Sequence, residues 1–254
     1  MNTKEKVILA LEKAKGSYIS GEELARGLNV SRNAIWKVIG ELRRSGYIIS
    51  SASKRGYRLE EKNDVISKEG IFLNLKEAFR DNYPGELFLH NIYVYKELDS
   101  TNNEAKKELV FNKGNILNET VIIAEEQTAG RGHLESSFSS PKGGIYMSII
   151  YEAKRIDKKA ESIPDIIGSG VAGVIERDFQ VRIERKEDSS LYIEKEKIGG
   201  IMTEGISDLE TGIFSNYITG IGIRFARLSL ISGRLIEKNA LIADILAELH
   251  SKLG

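Results

Sequence analysis

Four short runs carry residue types that can act on a small anionic ligand. They are Asp99-Ser100-Thr101-Asn102, Gln127-Thr128-Ala129-Gly130-Arg131-Gly132, Lys197-Ile198-Gly199-Gly200 and Gly220-Ile221-Gly222-Ile223. Gly130 and Gly132 let backbone amides approach a carboxylate or phosphate, and Arg131 adds a fixed positive charge. Singly, each run has a plain explanation: Asp-Ser-Thr-Asn is good capping chemistry, Gly-Arg-Gly is a common turn, and a lone lysine is usually a surface cation. Jointly they favour a ligand pocket. The absence of cysteine excludes disulfides, thiolate catalysis and cysteine-type zinc sites. His90, His133 and His250 are not clustered with other ligating residues, so no metal site is expected.

A different chemistry is concentrated in residues 31–58. Arg32, Lys37, Arg43, Arg44, Lys54, Arg55 and Arg58 stand there against the single acid Glu41, in a chain whose 37 Lys and Arg balance its 37 Asp and Glu. Neutralising phosphates requires such clustering, and the expected partner is double-stranded DNA. Arg32 and Asn33, near a helix start, are placed to reach base edges. Lys37 is assigned to a phosphate and Trp36 to packing. The bland alternative is a solvated basic face.

The elements that must hold these residues follow from periodicity. Val7, Ile8, Leu11 and Ala14 predict a helix over 3–15, ended by Gly16. Ser20 to Glu23 reads as a capping box opening a second helix, which carries Leu24, Ala25 and Leu28. Ser31 caps a third, with Ala34, Ile35, Val38 and Leu42 on its apolar face. Short strands are expected at 47–50 and 56–59. Three helices followed by a hairpin describe a winged helix-turn-helix. The polar stretch Glu60 to Asp64 reads as a linker. Beyond it, helices are expected at 68–82, after the Asp99 turn, at 162–179 and at 237–253. Strands are expected at 92–98, 120–124, 145–151, 181–183, 191–193, 198–206 and 213–223, the last two joined by a hairpin turn near 209–212. The whole is an α+β fold with a mostly antiparallel sheet. The expected division is a DNA-binding domain over 1–60, a linker over 61–67 and an effector domain over 68–254.

A length of 254 residues fits two domains. No apolar run approaches the roughly 18 residues of a membrane span, and the first residues do not read as a signal peptide. The expectation is a soluble, cytoplasmic protein with no membrane partner.

In this order, behind a winged helix, the four runs resemble the bifunctional biotin operon repressor and biotin–protein ligase family, over residues 3 to 253. The resemblance implies a class II synthetase-like domain that joins biotin and ATP into biotinoyl-adenylate. It implies transfer of biotin to a lysine of a biotin carboxyl carrier domain, and an adenylate-promoted homodimer on an inverted-repeat operator. Ser100, Thr101 and Gln127 match the family's residues for the ureido ring of biotin. Gly130, Arg131 and Gly132 match those at the carboxylate or phosphate. Lys197 matches the lysine that stabilises negative charge there, so Lys197 and Arg131 would be catalytic in an active enzyme. Gly200 leaves room for the ligand.

The chain departs from the family pattern in four places. The glycine loop continues as His133-Leu134-Glu135-Ser136-Ser137-Phe138-Ser139-Ser140-Pro141, without the family's further arginines and with Phe138 free to stack on an adenine. The family's Lys-Trp-Pro-Asn-Asp becomes Glu184-Arg185-Lys186-Glu187-Asp188-Ser189-Ser190, in which Asp188 alone could correspond. Arg224 replaces an asparagine after Gly220-Ile221-Gly222-Ile223. The family's small C-terminal barrel is expected to have no counterpart after the last helix. The biotin side is kept and the nucleotide side altered, which makes ATP and Mg doubtful cofactors. The reading is therefore a biotin-responsive repressor of weak or lost ligase activity. Its alternatives are an active bifunctional ligase and repressor, and a regulator sensing another small acid.

Overall fold

The structure is a computed structural model that describes residues 1–79, 91–112, 118–132, 137–208 and 211–253. Helix α1 (Thr3–Lys13) opens on a reciprocal capping box: Asn2 accepts from the Glu5 amide, and Glu5 accepts from the Asn2 amide. The box expected at Ser20 is only half formed, because Ser20 accepts from the Glu23 amide without a return bond. Helices α2 (Gly21–Gly27) and α3 (Arg32–Arg44) follow, with Ser31 capping α3 through the Ala34 amide. Strands β1 (Ile49–Ala52) and β2 (Gly56–Leu59) form the hairpin, pairing Ile49 with Leu59 and Ala52 with Gly56.

Val7, Leu11, Ile35, Ile39, Leu42 and Leu59 close a core belonging to this part of the chain alone. With Ile35, Ile39 and Leu42 turned inward, the next position along the helix must turn out. Trp36 accordingly lies 64% exposed on the outer face of α3, which overturns its assignment to packing.

The rest of the chain builds one seven-stranded sheet. Its elements in order are α4 (Lys68–Phe79), β3 (Ile92–Tyr95), α5 (Thr101–Phe111), β4 (Thr120–Ala124), β5 (Ile145–Glu152), α6 (Ile163–Phe179), β6 (Glu184–Arg185), β7 (Ser190–Ile193), β8 (Glu196–Ser207), β9 (Phe214–Ile223), α7 (Phe225–Ser232) and α8 (Lys238–Leu253). The strand order is β3-β4-β5-β9-β8-β7-β6; β3 and β4 are parallel and every other pair antiparallel. Helices α4, α6 and α8 bury the main core against one face. Helix α5 covers the other through Ala105, against Ile122, Ile150 and Ile218. Both faces of β4 and β5 are therefore buried, which explains their largely apolar runs, interrupted inside β5 by the buried Ser148.

Two expectations are corrected. The strand read at 181–183 lies instead at Glu184–Arg185. Helix α7 follows β9 directly, with Arg224 as a cap that makes no side-chain bond, so no start signal marked it. Residues 80–82 of the expected α4 helix, Leu209 and Glu210 of the hairpin turn, His90 and His133 lie outside the described residues. His250 contacts Glu119 at 2.9 Å and meets Phe79 edge-on, a structural role that ties α8 to the start of β4. Among the described residues no helix is long and apolar enough to cross a membrane.

The segment expected as a linker is pinned at several points. Asn63 accepts from the Ile48 amide, Asn239 accepts from the Ser67 amide, and Lys238 pairs with Asp64 at 3.0 Å. Helix α1 packs on α4, where Lys68 pairs with Glu5 at 2.8 Å and Lys15 reaches Glu237 at 2.7 Å. Between these bridges, Glu12 and Glu69 each bury one carboxylate oxygen without a hydrogen-bond partner. Burial pushes Glu12 up to about 7, with Glu237 and Glu69 adding to the rise against Lys15. A carboxyl raised on folding weakens the fold as pH climbs from its unfolded value towards 7, and the loss is complete above that. Glu12→Gln mimics the protonated form. It should raise stability by about 1–3 kcal/mol at pH 8, with the gain gone by about pH 4. Thermal unfolding of both proteins across that range measures this; a gain independent of pH would contradict it.

Candidate functional site

The four runs converge on one cavity of about 340 Å³ on the sheet face beside the start of α5. Ser100, Thr101, Gln127, Arg131, Gly132, Lys197 and Gly200 line it, and Gly130 does not. Gly130 is buried behind the wall, where a Cβ would collide with the Phe138 carbonyl and the Ser140 hydroxyl. Its missing side chain thus serves loop packing. Asp99 also points away: it accepts from Asn103 at 3.0 Å, a bond that holds its carboxyl below the ordinary value.

A continuous hydrogen-bond chain fixes the polar wall. Gln127 Oε1 accepts from the Thr101 amide at 2.8 Å and the Thr101 hydroxyl at 3.1 Å, and Gln127 Nε2 donates to Ser140 at 2.8 Å. The Ser148 hydroxyl lies 2.7 Å from Thr101 Oγ1 and 2.6 Å from Asn102 Oδ1. Asn102 donates to Glu204 at 2.8 Å, and Glu204 pairs with Lys106 at 2.7 Å. Gln127 therefore spends its oxygen and one N–H on positioning, which leaves one N–H for a ligand. Ser100 caps α5 with a long 3.5 Å bond, so its buried hydroxyl keeps hydrogen-bonding capacity at the cavity wall. Asn102, Ser148, Ser140 and Glu204 were missed as site residues. Asn102 alone carried a signal, since it stood in a quoted motif; the others are ordinary strand and loop residues in sequence.

The opposite end is cationic and aromatic. Lys197 and Arg131 reach the cavity together with Asp188, whose carboxylate is held by the Ser190 amide at 3.1 Å and hydroxyl at 2.9 Å. Phe138 lies on the paired strands β8 and β9, against the backbone of Gly200 and Gly222, which are partners in the sheet. Gly222 makes room for this ring, since a Cβ there would collide with it, whereas a Cβ at Gly200 would only touch it. Tyr146 meets Phe138 edge-on and donates to the Pro141 carbonyl at 2.7 Å. Burial pushes the Tyr146 hydroxyl up to about 12, so it stays a donor at neutral pH. The other cations of the altered motifs are elsewhere. Arg185 pairs with Asp165 of α6 at 2.8 Å, Lys186 stacks on Tyr192, and Arg224 is absent from the cavity wall. His133 and Glu135 lie outside the described residues. Among the described residues no group of three or more acidic or histidine side chains could hold a metal.

The basic surface divides into two sets. Arg32, Asn33, Lys37 and Arg44 are exposed on α3, and Lys54 and Arg55 are exposed at the hairpin tip. Arg43 donates to the Ile49 carbonyl and to Ser51, which ties α3 to β1. Arg58 pairs with Glu60 at 2.8 Å, and both Arg55 and Arg58 stack on Tyr18. Arg43 and Arg58 are thus committed within the fold.

The comparisons with known proteins agree on both halves. A model described as an HTH domain matches residues 3–58, and one described as the Biotin/lipoate A/B protein ligase family matches residues 94–223. The bifunctional ligase/repressor BirA of Bacillus spizizenii is 29% identical over 262 residues, spanning 96% of this chain and 77% of that protein. Its Bacillus subtilis namesake is 29% identical over 218 residues, spanning 85% of this chain and 63% of that protein. Among solved structures, a biotin protein ligase from Aquifex aeolicus in complex with biotin and ATP aligns with a TM-score of 0.52 at 23% identity, covering 64% of this chain and 69% of that one. That likeness extends to the fold.

Proposed function

The chain belongs to the biotin/lipoate A/B protein ligase family, and from that premise we propose that it is a biotin-responsive, DNA-binding transcriptional repressor of the cytoplasm whose ligase activity is weak or lost. Residues 1–60 bind an operator, residues 68–254 sense the ligand, and 61–67 join them. The observation that carries this reading is the asymmetry of the cavity. Its polar wall holds Thr101 and Gln127 bonded to each other and Ser100 beside them, with Lys197 and Arg131 lining the same cavity. Around it, Phe138 covers Gly200 and Gly222, and Arg185 is spent on Asp165.

The polar wall suits a ureido ring, which needs donors and acceptors in an otherwise apolar pocket. Lys197 and Arg131 suit a carboxylate, to which charged donors bind strongly. Adenylation asks for more, because ATP must be held in line and charge on its α-phosphate neutralised. The side chains of the altered motifs are engaged elsewhere, Arg185 with Asp165 and Lys186 with Tyr192, so ATP and Mg fit this pocket poorly. Biotin then acts by its different affinity for two states of the protein, and a homodimer is the natural reader of an inverted repeat.

Calorimetry with biotin, with and without ATP and magnesium, tests the sensing half. Pyrophosphate release followed by transfer to a biotin carboxyl carrier domain tests the enzymatic half. Biotin binding without ATP and little turnover is the expected result. Turnover at the level of an ordinary ligase would make the chain an active bifunctional enzyme. Absence of biotin binding would leave a regulator of another small acid.

A further inference from the structure

The chain contains one tryptophan, and it stands 64% exposed on the most basic helix of the molecule. At about 100° per residue, Trp36 shares its face of α3 with Arg32, Gly40 and Arg43, with Asn33 at its edge and Arg44 beyond Gly40. Gly40 is one turn further on, and a Cβ there would meet nothing but the Arg44 guanidinium, at 3.7 Å. The indole therefore stands beside a shallow notch with its surface uncovered. Arg32, Lys37 and Arg44 flank it and form no ion pair among the described residues. A large apolar side chain framed by free cations fits a partner that is anionic at its rim and apolar at its centre. The major groove of DNA has that profile, and its one apolar feature is the C5-methyl of thymine.

We propose that Trp36 is a specificity-determining residue that packs its indole against thymine methyl groups in the major groove, while the adjacent cations hold the phosphates. The proposal rests on the DNA-binding reading above and adds which base is read, and by which side chain. Gly40 lets the duplex come close enough for an indole to reach the floor of the groove. Asn33, at the edge of that face, is left to hydrogen-bond a base edge.

The test uses the whole 254-residue chain with biotin and duplexes enriched by it from a randomised pool. Thymines of an enriched duplex are replaced singly by deoxyuridine, which removes only the methyl group. For the native protein, one or two replacements in each half-site should weaken binding about threefold to tenfold. Trp36→Ala should weaken the enriched duplex about tenfold or more, and it should lose the deoxyuridine penalty while keeping the salt dependence. Trp36→Phe should retain part of both. Because Trp36 is the chain's only tryptophan, its emission in the native protein gives a readout that needs no variant. It should shift to the blue or quench on the enriched duplex and stay unchanged on a random one. Enrichment of a duplex with no emission change, or with equal deoxyuridine penalties in native protein and Trp36→Ala, would overturn the role of Trp36 alone. Failure to enrich any duplex would overturn the DNA-binding reading and this proposal with it.

Discussion

Lys197→Ala should weaken biotin binding by about tenfold to a hundredfold and remove biotin's influence on DNA binding, while the thermal transition of the second domain stays nearly unchanged. Lys197 lines the cavity from β8, half-buried, and its ammonium lies 5.9 Å from the Phe138 ring centre. No ion pair holds it among the described residues, so its charge is available to a ligand carboxylate. Removing it costs no internal bond and leaves no buried partner behind, so stability changes little. Any coupling between ligand and operator must fall with the affinity difference that drives it. Lys197→Arg keeps the charge and changes its shape, so it should restore part of the affinity. Calorimetry and operator binding with and without biotin measure both effects. Unchanged biotin affinity in Lys197→Ala would place the carboxylate elsewhere and remove the main support for the pocket assignment.

How far the sequence foretold this arrangement can be judged residue by residue. The helices of the winged domain and the strands of the large sheet follow apolar periodicity, which is local information. The cavity lining could be named because the motifs supplied its residues in order. What escaped is what only the third dimension brings together. Ser148 is a serine in an apolar strand until Thr101 and Asn102 arrive beside it. Gly222 marks a place for Phe138, 84 positions earlier in the chain. Trp36 was assigned to packing; the phase of Ile35, Ile39 and Leu42 turns it outward instead. Gln127 was read as a ligand contact, and the structure shows most of its capacity spent on its own walls. Arg43 and Arg58 counted towards the basic surface by composition, although both have internal partners.

Gly56→Val should abolish DNA binding, by at least about a hundredfold, and leave biotin affinity within about twofold. Gly56 opens β2 at φ +100, a conformation that a β-branched residue avoids. Any Cβ there would also collide with the Ile19 carbonyl, which accepts the Tyr57 amide at 2.9 Å. Relief requires moving the hairpin away from the segment before α2, at a cost of about 3 kcal/mol or more. That is a large share of the stability a domain of some 60 residues can hold. The hairpin also carries Lys54 and Arg55, so even partial displacement removes phosphate contacts. The pocket has its own core, built from residues 66 to 253, and among the described residues it shares no buried apolar cluster with the winged helix. The two are joined by partly exposed polar pins such as Lys68–Glu5 and Lys238–Asp64, whose contribution solvent screening keeps modest. Loss of the first domain should therefore spare the second. Unfolding followed by two probes, the single tryptophan for the winged helix and biotin binding for the pocket, separates the outcomes. If Gly56→Val loses both functions in one step, the two parts form a single cooperative unit, and the division across residues 61–67 is wrong.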